Sequence, residues 1–269
     1  MANASEAYKI ADDTWVVPAQ LPVPTFGYLP INSMVIKGKE PVLVETGLPV
    51  FRKEFLETTF SLVDPQDVKW IFLSHEDRDH AGNLAQVLEM CPSAKLVTNF
   101  IGLGKLAEEF TIPLERVVMA PDKEAFDVGD RTLVSIRPPL YDSPSTRGVW
   151  DAKNELYYSA DAFGAVLPDV PEYADEVEDE LYEDGFNWMN RANHIWHALT
   201  DPAKMDVEVD RIRELNAKVI VSSHGPVMRN DIKTKCDMLS RIPRLPALPE
   251  VTQDMLEERI EKAEFRPTK

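Results

Sequence analysis

The segment His75-Glu76-Asp77-Arg78-Asp79-His80 gathers two of the chain's five histidines and three carboxylates into six residues. Imidazole nitrogens and carboxylate oxygens are common donors to metal ions. In a tight loop, alternating His75, Asp77 and Asp79, followed at once by His80, can aim two side chains at one ion and two at a neighbour. Gly82 allows close backbone approach, and Asn83 can bond the loop backbone. A helix start alone would account for carboxylates near its positive end, but not for the paired histidines. The loop reads as metal-binding. Asp161 and His224 share one feature with it: each follows a stretch that reads as a buried strand. Ligands at the carboxyl ends of strands can converge although they are far apart in sequence.

The elements that must position these residues follow from periodicity. Thr14–Val17, Ser33–Lys37 and Pro41–Glu45 read as strands, and Lys37-Gly38-Lys39-Glu40 as a hairpin turn. Phe51–Leu62 has helical spacing, with Phe51, Phe55, Thr58 and Leu62 on one face, and stops before Pro65. Trp70-Ile71-Phe72-Leu73 is a continuous apolar run, typical of a strand buried on both faces, and it leads into the histidine loop. His80–Glu89 is predicted as a helix, Lys95–Thr98 as a strand and Gly102–Phe110 as a helix. Val117–Met119, Thr132–Ile136 and Leu156–Ser159 are further strands, and the last delivers Asp161. Asp175–Asp184 is acidic and reads as a solvated connection or lid, and Trp188–Leu199 as an amphipathic helix. Lys218–Ser222 is a strand delivering His224. Beyond Pro243 the chain is proline-rich, then helical from about Thr252 to Ala263. The economical reading is one domain over 1–269, with 243–269 a C-terminal helical extension.

The chain has 269 residues, enough for a continuous core. A net charge of −17 disfavours nucleic acid and anionic membranes as partners. Cys91 and Cys236 form no Cys-x-x-Cys motif, so zinc fingers, redox motifs and disulfide frameworks find no support. With no leader pattern and no apolar stretch of spanning length, a cytoplasmic location is expected.

Ser74-His75-Glu76-Asp77-Arg78-Asp79-His80-Ala81-Gly82 resembles the metallo-β-lactamase superfamily signature, His-x-[His/Asp/Glu]-x-Asp-His. Ser159-Ala160-Asp161-Ala162-Phe163-Gly164 resembles the segment that carries that family's metal-bridging aspartate, and Ser222-Ser223-His224-Gly225-Pro226 its last histidine motif. The resemblance runs from about residue 10 to 230 and implies an α+β fold, the four-layer αββα sandwich, with the metal site at one edge. Zinc hydrolases of the superfamily typically place histidine where this chain has Asp77. A carboxylate there, with Asp-Ala-Phe-Gly, resembles the flavodiiron and oxygen-binding di-iron proteins, and added carboxylate suits iron better than zinc. Carried over, one ion takes His75, Asp77 and Asp161, and the other takes Asp79, His80, Asp161 and His224.

Three departures stand out. The family's His-Trp-Pro-Asp-Ser loop is here Pro139-Leu140-Tyr141-Asp142-Ser143, so Pro139 leaves the first ion one ligand short unless Asp142, Tyr141 or water substitutes. Glu45 stands where aspartate is common, which can shift a hydrogen bond that orients the loop. Flavodiiron reductases carry a flavodoxin-like domain after the metal domain, whereas this sequence stops at Lys269. No FMN is expected, and electrons would come from a separate electron-transfer protein. Related metal domains often pair with a neighbouring subunit, so a homodimer is compatible with the resemblance. His194 and His197, three residues apart on a predicted helix, are alternative candidates for the missing ligand, although burial or surface exposure is the plainer reading. Phe186, Trp188 and Trp196 are read first as core and alternatively as a cover for the metal pocket.

The function implied is a non-haem iron protein, with two ions if both sites fill, that binds or reduces a small diatomic molecule, dioxygen or nitric oxide. The alternatives are a metal-dependent hydrolase of an ester, thioester or phosphodiester, with zinc as the alternative metal, and a degenerate metal-binding or signalling module without catalysis.

Overall fold

The computed structural model describes residues 3–4, 6–23 and 27–261. Strands β1 (Asn3–Ala4), β2 (Tyr8–Ala11), β3 (Thr14–Val23), β4 (Gly27–Ile36), β5 (Val42–Val44), β6 (Trp70–Phe72), β7 (Lys95–Thr98) and β8 (Val117–Met119) form the first sheet. Its order is β1-β3-β4-β5-β6-β7-β8, with β2 also paired to β3. The second sheet contains β9 (Ala125–Asp127), β10 (Thr132–Ile136), β11 (Gly148–Asp151), β12 (Leu156–Tyr158) and β13 (Val219–Val221), in the order β13-β12-β11-β10-β9. Strands β5 to β8 run parallel, as do β12 and β13, while the other neighbouring pairs are antiparallel.

Successive side chains of a strand point to opposite faces, and this alternation produces the layers. Met34, Ile36, Val42, Val44, Phe72 and Val97 face inward, where they meet Leu133, Val149, Leu156, Tyr158 and Val221 of the second sheet. Val35, Leu43, Ile71 and Leu96 face outward against α1 (Arg52–Leu62), α3 (Leu84–Met90) and α4 (Phe100–Leu106), through Phe55, Leu84, Leu88 and Leu106. Tyr157 and Ile220 of the second sheet face the opposite way, onto α5 (Asp179–Ala192), α6 (Pro202–Arg213) and α7 (Ile232–Arg241). The result is the expected helix–sheet–sheet–helix sandwich.

Several elements differ from the sequence reading. Strands β3 and β4 are longer than the short runs expected and pair from Thr14↔Ile36 to Val23↔Gly27. Pro18 and Pro22 both lie within β3, four residues apart, so both missing N–H groups fall on one side of the strand. The inward face of α1 carries Phe55 and Thr59, while Thr58 and Leu62 are half-buried. The helix expected over His80–Glu89 is split into α2 (Arg78–Ala81) and α3. A side chain at Gly82 would lie 2.3 Å from the Arg78 carbonyl oxygen, and that close approach marks the break.

The acidic stretch is not an irregular connection throughout. Asp179 and Glu180 occupy the first turn of α5, where the helix dipole favours them, and Asp175 is held by Arg229 and Asn230. Trp188–Leu199 is not one helix either: α5 ends at Ala192, and Ile195–Leu199 forms a separate 3₁₀ turn. His194 and His197 therefore do not share an α-helical face. The C-terminal helix α8 spans Gln253–Glu261, and its expected end at Ala263 lies outside the described residues.

One buried ion cluster ties β3 to the β9–β10 and β11–β12 turns. Arg131, 7% exposed, pairs with Asp13, Asp130 and Asp151. Burial works against ionisation of Asp13, but hydrogen bonds from Arg131 and Asn154 outweigh it and hold its carboxyl at about 2. A carboxyl depressed in the folded state stabilises above its unfolded pKa and loses that contribution as pH falls. Arg131→Ala is expected to cost about 3–5 kcal/mol at neutral pH, because it strands buried Asp151. It should also flatten the loss of stability between about pH 4 and pH 2 that Asp13 contributes. Urea denaturation of both proteins across pH reads this, and equal stabilities at neutral pH would refute it.

Candidate metal centre

Parallel strands deliver their carboxyl ends to one edge of the sandwich. β5 leads into Glu45, β6 into Ser74-His75, β12 into Asp161 and β13 into His224. The short helix α2 supplies Asp79 and His80. Glu45 and Ala160, at the mouths of two of these loops, have φ of 67° and 52°. A non-glycine residue in this left-handed region costs on the order of 1–3 kcal/mol, and such strain persists only where the surroundings enforce it.

The loops bring all six sequence-predicted residues together. Asp161 Oδ1 lies 3.1 Å from His80 Nε2 and 3.4 Å from His224 Nε2. Asp79 Oδ2 lies 3.4 and 3.3 Å from the same two nitrogens. Donors bound at about 2.0–2.2 Å to one ion are themselves separated by about 3.0–3.5 Å, so these four groups fit one cation. The second oxygen of Asp161, Oδ2, is 3.7 Å from His75 Nε2, which is also 3.9 Å from Asp77 Oδ2 and 3.6 Å from Asp142 Oδ1. The two oxygens of Asp161 thus face different clusters. Here the cluster around His75 is termed site one and that around His80 and His224 site two.

Three buried atoms, His75 Nε2, His80 Nε2 and Asp161 Oδ1, have no hydrogen-bond partner. Leaving such groups unpaired is costly, and a cation between them removes the cost. The electrostatics agree. Burial opposes charge on His80 and His224, yet Asp79 and Asp161 drive both upward, with Glu45 adding to His80. His224 is pushed up to about 10. Burial also opposes ionisation of Asp161, but His75, His224 and His80 hold it well below the ordinary range. Asp77 is shifted upward by partial burial and by Asp142 and Asp79. The pocket is anionic, and without a metal it attracts protons.

Surrounding groups fix the ligand rings. His224 Nδ1 donates to the Pro30 carbonyl at 2.9 Å, which leaves Nε2 free to bind. Ser74 Oγ bonds His75 Nδ1 at 2.9 Å. Glu45 accepts from the Ser74 amide at 3.2 Å and places Oε2 3.6 Å from His80 Nδ1. The extra methylene of Glu45 therefore reaches both the β6 loop and α2. Asn83 donates to the Thr46 carbonyl at 2.7 Å and staples the same loop.

Other contributors were less legible in the sequence. Glu76 accepts from Lys105, Ser145 and Ser143. Burial opposes its ionisation, but these bonds hold it below the usual range. It thus ties the histidine loop to the Asp142 loop and does not face the clusters. Asn32 donates to the Ser222 and Gly225 carbonyls at 2.9 and 2.8 Å and clamps the His224 loop. Asn193 donates to Asp161 Oδ2 at 2.8 Å. A lone asparagine carries no sequence signal for such a role. Neither His194 nor His197 joins a ligand cluster among the described residues. Both are buried, and burial lowers both pKa values. Phe186 is core, packed on Phe163 and Tyr182. Trp196 packs on Tyr141 and His194, beside the Asp142 loop.

A family model described as ODP family beta lactamase matches residues 30–225. The putative diflavin flavoprotein A 2 of Nostoc sp. strain PCC 7120 is 28% identical over 212 residues, covering 76% of this chain and 35% of that protein. The anaerobic nitric oxide reductase flavorubredoxin of Salmonella typhi is 24% identical over 204 residues, covering 74% of this chain and 42% of its own length. The chain thus spans well under half of either relative. Among solved structures, rubredoxin oxygen:oxidoreductase from Desulfovibrio gigas superposes with a TM-score of 0.77 at 19% identity, covering 89% of this chain and 62% of that one. No helix among the described residues is long and apolar enough to cross a membrane.

Because Glu45 orients His80 and anchors Ser74, Glu45→Ala should weaken metal binding about ten- to hundredfold. Glu45→Gln, which keeps the length, should fall between the two. Competition titration against a chelator measures this, and affinities equal to wild type for both variants would remove Glu45 from the site.

Proposed function

The chain belongs to the ODP family of β-lactamase-like domains, and from that premise we propose that it holds two iron ions at this edge and binds or reduces dioxygen or nitric oxide. The observation that carries the reading is Asp161, whose two oxygens face two separate donor clusters. Paired-metal chemistry needs such a bridge to hold ions about 3.5–4 Å apart. Asp77 in place of the histidine usual in zinc hydrolases supports iron, since carboxylate donors favour harder ions. Two similar proteins, a nitric oxide reductase and an oxygen:oxidoreductase, point the same way.

Iron bound here would supply the electrons that a diatomic molecule accepts. The protein's own residues do the rest. Asp79, His80 and His224 would hold one ion, and His75 and Asp77 the other. Asn193 pins Asp161 Oδ2 so that the bridge keeps its orientation as charge changes. Tyr141, next to Asp142 in its loop, packs on Trp196 with ring centroids 5.6 Å apart. A separate electron-transfer protein would re-reduce the centre.

Iron-loaded protein, reduced anaerobically and mixed with dioxygen or nitric oxide, should consume either gas faster than the metal-free protein. Asp161→Asn should lower that rate at least about tenfold, since the neutral amide is a poor bridge. No gas consumption, together with turnover of ester or thioester substrates by the zinc-loaded protein, would transfer the assignment to hydrolysis.

A further inference from the structure

Site one has proline at position 139, where the resemblance calls for histidine, yet it does not lack a fourth side-chain donor beside His75, Asp77 and Asp161. Asp142, three residues beyond Pro139, places Oδ1 3.6 Å from His75 Nε2, and His75, Asp77 and Asp142 form one of the three compact donor groups among the described residues. Its loop is firmly held. Ser143 bonds Glu76, Thr146 reaches Asp142 Oδ1 at 3.4 Å, and Tyr141 is engaged by Trp196 and Arg137. The Asp142 carboxylate is therefore the side chain this loop presents to His75.

We propose that Asp142 is a metal ligand in place of histidine and that it makes the centre chemically unequal. Site one takes a hard, oxygen-seeking ion such as Mn²⁺ or ferric iron, and site two takes a borderline ion such as Zn²⁺ or ferrous iron. This rests on the reading of the cluster as a paired metal centre.

Three observations converge on the inequality. Site one offers one imidazole and three carboxylates, from Asp77, Asp142 and Asp161, whereas site two offers two imidazoles and two carboxylates. Oxygen-rich donor sets favour hard ions, and imidazole favours zinc and its neighbours. The donors of site one measured from His75 are 3.6–3.9 Å away, against 3.1–3.4 Å for the donor pairs of site two, so site one is the more open of the two clusters. Lys105 pairs with Glu76 and donates to Ser143 Oγ at 3.2 Å, which seats a cation beside the Asp142 loop, outside the donor ring. Site one also lies on the mouth side, because the Asp77 side chain is half-exposed while those of His80 and His224 are buried.

Zn²⁺ outbinds Mn²⁺ at most nitrogen and oxygen sites, so the test reads ratios. Metal-free full chain is titrated with Zn²⁺ alone, with Mn²⁺ alone and with both, followed by elemental analysis and the Mn²⁺ electron paramagnetic resonance signal. The Zn²⁺/Mn²⁺ affinity ratio should be at least about tenfold smaller at the weaker site, giving a mixed species with one ion of each kind. Asp142→Asn should weaken Mn²⁺ at that site about tenfold or more and leave Zn²⁺ at the tighter site within about twofold. Asp142→His should move the ratio at the altered site toward zinc by about tenfold, and circular dichroism confirms that each variant is folded. Equal ratios at both sites, or an unchanged Mn²⁺ signal in folded Asp142→Asn, overturns the inequality while leaving the paired centre intact. Failure of both ions to bind overturns the paired centre itself, and this inference with it.

Discussion

Asp161 is buried with both oxygens committed in different directions, and the surrounding structure is arranged to keep it charged there. Burying a carboxylate is expensive unless opposite charge and hydrogen bonds compensate. Three imidazoles and the Asn193 amide surround it, and each arrives on a different element: β6, α2, β13 and the turn after α5. None of these elements can shift without uncovering the carboxylate. The strained backbone at Ala160, immediately before Asp161, is tolerated for the same reason. The sandwich acts as a frame that forces like charges together, and a pair of cations is the natural counterweight.

Two electrostatic systems of opposite design share the molecule. Around Arg131 the protein supplies its own counterion, and the aspartates there are satisfied by side chains already present. At the metal edge the carboxylates outnumber the neighbouring cations, and the buried nitrogens are left without partners. The first arrangement is complete as folded and serves stability. The second is incomplete by construction, as expected of a binding site.

Much of this was legible in the sequence where chemistry and periodicity are local. The histidine loop, Asp161 and His224 were found because each follows a short apolar run, and alternation in those runs gives the layers directly. What escaped depends on contacts that spacing does not encode. Asn32, Asn193 and the Glu76–Lys105 pair are polar residues with unremarkable neighbours, and they matter only because the fold sets them against the site. The long β3–β4 hairpin was hidden by prolines that terminate most strands. The helix read through Trp188–Leu199 failed because periodicity continued where the backbone did not: Asn193 turns its amide to Asp161, and the chain restarts as a 3₁₀ turn. The sequence leaves open whether Asp142, Tyr141 or water stands in for the histidine absent at Pro139, and the structure brings Asp142 Oδ1 to 3.6 Å from His75 Nε2.

The Asn32 clamp has a consequence for the order in which the molecule comes into being. Its bond to Ser222 closes a span of 190 residues, and the His224 loop cannot take its place until β13 has joined β12 in parallel across the intervening helices. Pairings of such separation form late and slowly, because chain entropy must be lost before they contribute. The half of the donor set borne by β6 and α2 is made of near neighbours and exists early. The edge that carries the donor clusters is therefore expected to be the last part of the sandwich to close, so that an ion would meet a protein already folded.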